Sequence, residues 1–353
     1  MVDCGMASRF PPAAAGVLMA IGGAEDKLGH KAVLARFVQL AGGSSARLLV
    51  VSTASSLSDE ITDLYRTVFG ELGVTRIDAL RPRTREQAEQ PAVVAAVERA
   101  SGIFLTGGNQ LRLAMVVGGT AMGRALTEAY LRGAVVAGTS AGASALAEHM
   151  VSFGRPGETP RQRMGQLAGG LGLLPGVVVD QHFGQRNRIG RLLAMVAQSP
   201  ALLGVGVDED TAAVIGGDGV LEVIGRGAVT VVDGSNVVSD AYEVRQHRPV
   251  LVSGAVLHAL PPGYRFDLTE RKLLPRLTAI EEGPRRQPRS SRRVAQAIAA
   301  EGAEDRAPRR GRRRRLRGGG KSEVGTPRAD GHTAPSGSPP VDSHPPAGEE
   351  ASR

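Results

Sequence analysis

Four short apolar runs set the limits on what this chain can fold into. Gly16–Ile21, Arg47–Ser52, Gly102–Leu105 and Ala134–Ala137 are too short for buried helices, and small or polar residues close each of them. Between them lie segments with apolar residues at helical spacing: Lys31–Ala41, Asp59–Leu72, Gln87–Ala100, Leu111–Val117 and Thr120–Arg132. Val74–Leu80 adds a strand on the flank. Strands apolar throughout, alternating with helices, predict an α/β fold: a mostly parallel sheet with helices on both faces, three layers in all. In such sheets the functional loops collect outside the carboxyl ends of the strands. Residues 22–27, 53–55, 106–110 and 138–142 are therefore expected to share one edge.

The last of these loops is Gly138-Thr139-Ser140-Ala141-Gly142, a G-x-S-x-G pattern between a buried strand and a helix expected over Ala143–Met150. Its mechanics need that context. The turn is too tight for side chains at the glycines, and it leaves Ser140 Oγ at the strand end above a helix amino terminus. Backbone N–H groups there, starting with Ala141, can receive an oxyanion.

A serine nucleophile needs a base within reach and an acid to orient that base. After Ser140, Val151–Gly170 reads as a polar loop over the site. The strand Gly176–Val179 then ends in Asp180-Gln181-His182-Phe183, a helix is expected over Arg188–Gln198, and Gly204–Val207 leads into Asp208-Glu209-Asp210. His182 is the candidate base. Spacing leaves Asp208, Glu209 and Asp210 open as the acid. The order Ser…His…acid differs from Ser…Asp…His and disfavours the α/β-hydrolase fold. From Ala212 the pattern turns β-rich, in Ala212–Ile215, Leu221–Ile224, Val229–Asp233 and Val250–Leu260. Residues 216–219 and Asp233-Gly234 read as hairpin turns.

Composition excludes several other chemistries. The single Cys4 permits no disulfide framework, and neither a metal nor a cofactor is implied. Trp is absent, and seven Phe and four Tyr are too few for a stacking platform on nucleic acid or sugar. Residues 283–353 hold 16 Lys/Arg and 8 Asp/Glu, which accounts for the whole net charge of +8 and leaves the rest neutral. That stretch, with an Arg-rich run at 309–315, has no apolar periodicity and reads as a disordered basic tail. Weak contact with nucleic acid or another acidic polymer is its candidate role. The division expected is an arm at 1–15, a catalytic domain at 16–282 and the tail. The run Ala13–Ile21 is too short to span a bilayer and follows no basic n-region, so a cytoplasmic protein without membrane contact is expected.

Five blocks over some 250 residues resemble the cyanophycinase family of serine peptidases, relatives of the aspartyl dipeptidases with a class I glutamine-amidotransferase-like fold. They are Gly22–Lys27, Thr106–Gln110, Gly138–Ala143, Asp180–Phe183 with Arg186, Arg188 and Arg191, and Gly206–Ala212. The resemblance implies Ser140 as nucleophile, His182 as base, Glu209 as the orienting acid, and Gly108 and Ala141 N–H groups as the oxyanion hole. It places Gln110, Asp180, Gln181, Arg186, Arg188 and Arg191 around the substrate; Glu158, in the loop expected over the site, is a further candidate to approach it. It further implies a homodimer acting on cyanophycin, a poly-aspartate carrying arginine on each β-carboxyl, to release β-Asp-Arg. An aspartyl dipeptidase or a non-catalytic binding homologue would keep the same fold. A glutamine amidotransferase would need a thiol where Ser140 stands.

Overall fold

The computed structural model describes residues 15–275; the expected arm, apart from Ala15, and the tail lie outside the described residues. Up to the serine turn, strands and helices alternate. They run β1 (Leu18–Ile21), α1 (Ala32–Leu40), β2 (Arg47–Val51), α2 (Ser58–Glu71), β3 (Arg76–Leu80), α3 (Arg85–Ala88), α4 (Pro91–Arg99), β4 (Gly102–Leu105), α5 (Gln110–Val117), α6 (Ala121–Leu131), β5 (Val135–Thr139) and α7 (Ala141–Leu146). The helix expected over Gln87–Ala100 is two, because Pro91 has no N–H to continue the ladder and starts α4 instead. Helix α7 stops short of Met150. Its last carbonyls are taken by N–H groups of Leu171, Leu173 and Leu174, which turn the chain away.

The remaining elements are β6 (His149–Gly154), β7 (Gly165–Gly169), β8 (Val177–Gln181), α8 (Ile189–Gln198), β9 (Leu203–Val207), β10 (Thr211–Ile215), β11 (Val220–Gly225), β12 (Val229–Asp233), β13 (Val238–Ser239), β14 (Val252–Ser253), β15 (Val256–Leu260), β16 (Arg265–Asp267) and β17 (Lys272–Leu274). The main sheet has nine strands in the order β17-β16-β11-β10-β1-β5-β4-β2-β3. From β1 to β3 every pairing is parallel; from β1 to β17 every pairing is antiparallel. The sheet is therefore mixed, and its parallel half carries the serine turn.

Alternate residues of a strand point to opposite faces, and here both faces are core. Leu18 and Ala20 join Leu49, Val51, Ile103, Leu105 and Val136 under α4 to α7. Met19 and Ile21 join Leu48, Val50, Phe104 and Ala137 under α1 and α2. On that second face Phe37, Tyr65, Phe69 and Phe104 form one aromatic cluster, with ring centroids 4.6–5.9 Å apart. Helices thus cover both faces, as the uninterrupted apolar strands require.

Three expectations are corrected. Val151–Gly170 is not a loop throughout; most of it is an antiparallel hairpin of β6 and β7, with 155–164 as its tip. Asp233-Gly234 makes no hairpin, since β12 pairs with β15 and β9. Val250–Leu260 is broken at Gly254, whose φ of 74° ends β14 before β15 begins. Strands β8 and β9 also leave the main sheet. They lie parallel to each other in a four-stranded sheet, β15-β12-β9-β8. The strand ends that carry His182 and the acidic cluster therefore come from a different sheet than Ser140.

Candidate active site

The expected loops do meet at one edge. Ser140 N–H donates to Ile21 O at 3.0 Å, and Asn109 N–H to Ala54 O at 2.9 Å. A Cβ at Gly138 would lie 2.3 Å from the Gly142 backbone, and one at Gly142 would lie 2.3 Å from Leu105 O. The outer glycines of the pentapeptide thus let α7 fold back onto β5 and β4. Between them Ser140 takes φ 50° and ψ −110°, a sparsely populated conformation for a side-chain-bearing residue.

Ser140 Oγ lies 2.9 Å from His182 Nε2, and His182 Nδ1 lies 2.7 Å from Glu209 Oε1. Ser140 and His182 are almost wholly buried, at 4% and 2% exposure, while Glu209 is partly open. The geometry separates the three acids that spacing left open. Asp208 accepts from Gly184 and Ala228 N–H, and Asp210 accepts from Asp26 N–H, so both hold backbone. Glu209 alone of the three reaches the imidazole. Such a line permits a hydroxyl proton to pass to the ring while the carboxylate holds the opposite nitrogen.

The turn after β1 packs against the back of this line. His182 N–H donates to Gly22 O at 2.8 Å, and Asp210 N–H to Gly23 O at 2.9 Å. A Cβ at Gly23 would stand 2.4 Å from His182 Cε1 and 2.5 Å from Nε2. Ala24, Ser140, His182 and Asp210 all have positive φ, so the strain collects where these segments meet. Glu25 follows, fully buried, accepting from Tyr65 Oη at 2.5 Å and from Thr139 Oγ1 at 2.6 Å, with Lys27 Nζ 3.2 Å away. Burial pushes its carboxyl up, but the Lys27 charge and the two hydroxyl donors outweigh that and hold it below its ordinary value. Sequence reasoning matched this block without giving it work. The signal was Gly22-Gly23 at a strand's end with Glu25 and Asp26 one residue beyond.

The two oxyanion candidates sit on the same edge. Ala141 opens α7, and the first N–H groups of a helix have no partner within it. Gly108 has φ 129° and packs so closely on Ala54 O that a Cβ would lie 2.3 Å from it.

The residues expected around a substrate divide into two groups. Asp180 has no exposed surface, and its carboxylate accepts from Arg191 Nε at 2.6 Å, from Arg191 Nη2 and from Arg188 Nη1 at 3.2 Å. Arg188 also donates to Gln181 O and Oε1, and Arg191 to Gly154 O. Burial brings Arg188 down to about 10; Asp180 resists the shift, and Arg191 and Arg186 add to it. Asp180, Arg188 and Arg191 therefore hold one another, and Asp180 offers no open oxygen to a ligand. Gln110 Nε2 donates to Val151 O and Ser152 O and ties the β6–β7 hairpin down. Arg186 is half-buried and Glu158 exposed. Glu158 lines a cleft of about 490 Å³ with Arg155, Arg161, Asn187 and His247, and accepts from Asn187 Nδ2 at 3.3 Å. Among the described residues no group of three His, Cys, Asp or Glu is placed to hold a metal ion, and no helix is long and apolar enough to cross a membrane.

Residues 17–223 match the family described as Peptidase family S51. Cyanophycinase of Nostoc sp. is 42% identical over 274 residues, covering 77% of this chain and 92% of that protein. Cyanophycinase of Geminocystis herdmanii is 39% identical over 252 residues, covering 71% and 93%. The crystal structure of a peptidase from an acI-B1 Actinobacterium covers 70% of this chain and 98% of its own at a TM-score of 0.51 and 22% identity, a likeness of fold.

Proposed function

This chain belongs to peptidase family S51 and is a serine-type peptidase, and we propose that it degrades cyanophycin through an acyl-enzyme. The observation that carries the reading is the continuous line from Ser140 Oγ through both imidazole nitrogens to Glu209, at 2.9 and 2.7 Å. Ser140 Oγ attacks the α-carbonyl carbon of an aspartyl residue while His182 Nε2 takes its proton. The oxyanion of the tetrahedral intermediate accepts from Gly108 and Ala141 N–H. As the C–N bond breaks, His182 returns the proton to the leaving amine. Water, deprotonated by His182, then cleaves the ester and frees β-Asp-Arg. Glu209 keeps the ring in the tautomer that leaves Nε2 able to accept.

A substrate of this class presents carboxylates, which a guanidinium fork grips in two places. Arg186, half-buried, is assigned to it directly, whereas Gln181, buried with its Oε1 on Arg188, is assigned to support that arginine. Asp180 is assigned to the layer behind, fixing Arg188 and Arg191, while Gln110 and Glu158 shape the hairpin side. The same proposal includes a cytoplasmic homodimer with weak contact between the tail and acidic polymers. Product analysis after incubation with cyanophycin, beside Ser140→Ala, tests the reading. Release of β-Asp-Arg by the wild type alone supports it. Hydrolysis confined to small aspartyl peptides would replace the polymer as substrate.

A further inference from the structure

The turn Gly22–Asp26 touches the supports of all three residues in the line. Gly22 O holds His182 N–H, Gly23 O holds Asp210 N–H beside Glu209, and Asp26 N–H donates to Asp210 Oδ1 at 2.8 Å. Glu25 completes the set from the other sheet, since Thr139, whose hydroxyl it receives, is the last residue of β5 and directly precedes Ser140. The other oxygen of Glu25 is held by Tyr65 and Lys27, so the carboxylate cannot swing without leaving buried donors unpaired. Main-chain bonds hold Ser140 itself, its N–H on Ile21 O and its O under Ser144 N–H, and the Thr139 hydroxyl adds a side-chain tie one residue before the turn to φ 50°. We infer that Glu25 is a positioning residue for hydrolysis: through Thr139 Oγ1 it fixes the backbone that presents Ser140 to His182, while touching neither substrate nor imidazole.

The inference rests on Ser140 being the nucleophile, and the test separates the two. A fluorophosphonate probe is applied to the full-length protein, alongside steady-state hydrolysis of cyanophycin. Absence of labelling at Ser140 in the wild type would remove the nucleophile and this inference with it. Given labelling, three variants decide the role of Glu25. Thr139→Val keeps the shape and removes the hydroxyl; Thr139→Ser keeps the hydroxyl and loses the methyl. Hydrogen-bond positioning predicts that the valine variant labels and turns over about 10–100-fold more slowly, with KM within about twofold. The serine variant should stay close to wild type. Glu25→Gln should resemble Thr139→Val, and combining the two should be no slower than the worse single change. Phe37→Leu, in the aromatic cluster on the same face, should lower Tm without slowing labelling, which separates positioning from general loss of stability. Valine at 139 labelling at the wild-type rate, or serine as slow as valine, would overturn the inference. The Thr139 pair decides it even if Glu25→Gln does not fold.

Discussion

Gly23→Ala should disable the enzyme while leaving it folded, and the size of the effect can be worked from the ring it faces. A Cβ there would lie 2.4 Å from His182 Cε1, whereas ordinary contact begins near 3.4 Å. The imidazole must therefore withdraw by about 1 Å, the difference between those contacts. Its Nε2 is 2.9 Å from Ser140 Oγ, so a retreat with more than about 0.6 Å of its length along that line takes the bond beyond hydrogen-bond reach. Misplacement of a reacting group by about 1 Å costs roughly 100-fold, equivalent to about 2.7 kcal/mol of transition-state stabilisation. The backbone adds its own cost, since φ is 97° at Gly23 and a residue with a Cβ is strained there by about 1–3 kcal/mol. Gly73→Ala separates the two effects. Its φ is 89°, yet a Cβ there would meet nothing within 4 Å. Both variants should lose Tm, and only Gly23→Ala should lose kcat and the rate of fluorophosphonate labelling. Gly23→Ala with wild-type turnover would refute the claim that this glycine exists to admit the ring.

Ser140→Ala and His182→Ala should each lower turnover by about 10³-fold or more, and the double variant should be hardly worse than either, because the two act as a unit; losses that multiply would contradict a shared step. Asp180→Asn leaves Arg188 and Arg191 without their buried counter-charge and should cost about 3–5 kcal/mol by urea unfolding, so an unchanged midpoint would show that water already screens the cluster. Asp210 offers a pH test: burial first, then the Asp26 and Glu25 charges, raise its carboxyl above the ordinary value, against the Asp26 N–H and Arg226. A group raised in the folded state is destabilising when ionised, and that cost fades as pH falls through its folded pKa. Asp210→Asn keeps an oxygen for Asp26 N–H and tolerates the φ of 51°. It should therefore melt higher than wild type at pH 7, with the gap narrowing towards pH 4; a lower Tm at pH 7 would reverse the sign.

The parallel half of the fold was legible because its strands are buried on both faces, so short apolar runs between helices admit few other arrangements. The pentapeptide at Ser140 was legible for a similar reason, as only glycines allow α7 to lie against β5 and β4. Less was visible in the hairpin of β6 and β7. Its residues are rich in Gly and expose His149, Phe153 and Gln166 without clean alternation, and what orders them is contact with Gln110, Arg191 and the segment near Pro249. The arginines after His182 were ambiguous in the same way. A helix face carrying Arg188 and Arg191 reads as solvated until Asp180 is known to lie beneath it.

The sheet to which β8 and β9 belong was out of reach, and the reason bears on how the site is built. A buried strand ending in a polar residue looks the same in either sheet, so His182 and Glu209 could be assigned to the right edge for a partly wrong reason. They do not stand beside Ser140 as neighbours along a single sheet. They are brought there because Gly22 and Gly23 accept N–H groups from His182 and Asp210 while Ile21 accepts that of Ser140. Three consecutive carbonyls at the end of β1 thus serve both sheets. That junction requires residues without side chains at 22 and 23, where a Cβ would strike Asp208 O at 1.9 Å and the His182 ring at 2.4 Å. It also requires a buried acid at 25 to take the hydroxyl of Thr139. The Gly-Gly-Ala-Glu block is therefore as much a part of the site as the serine turn, although none of its side chains needs to meet the substrate.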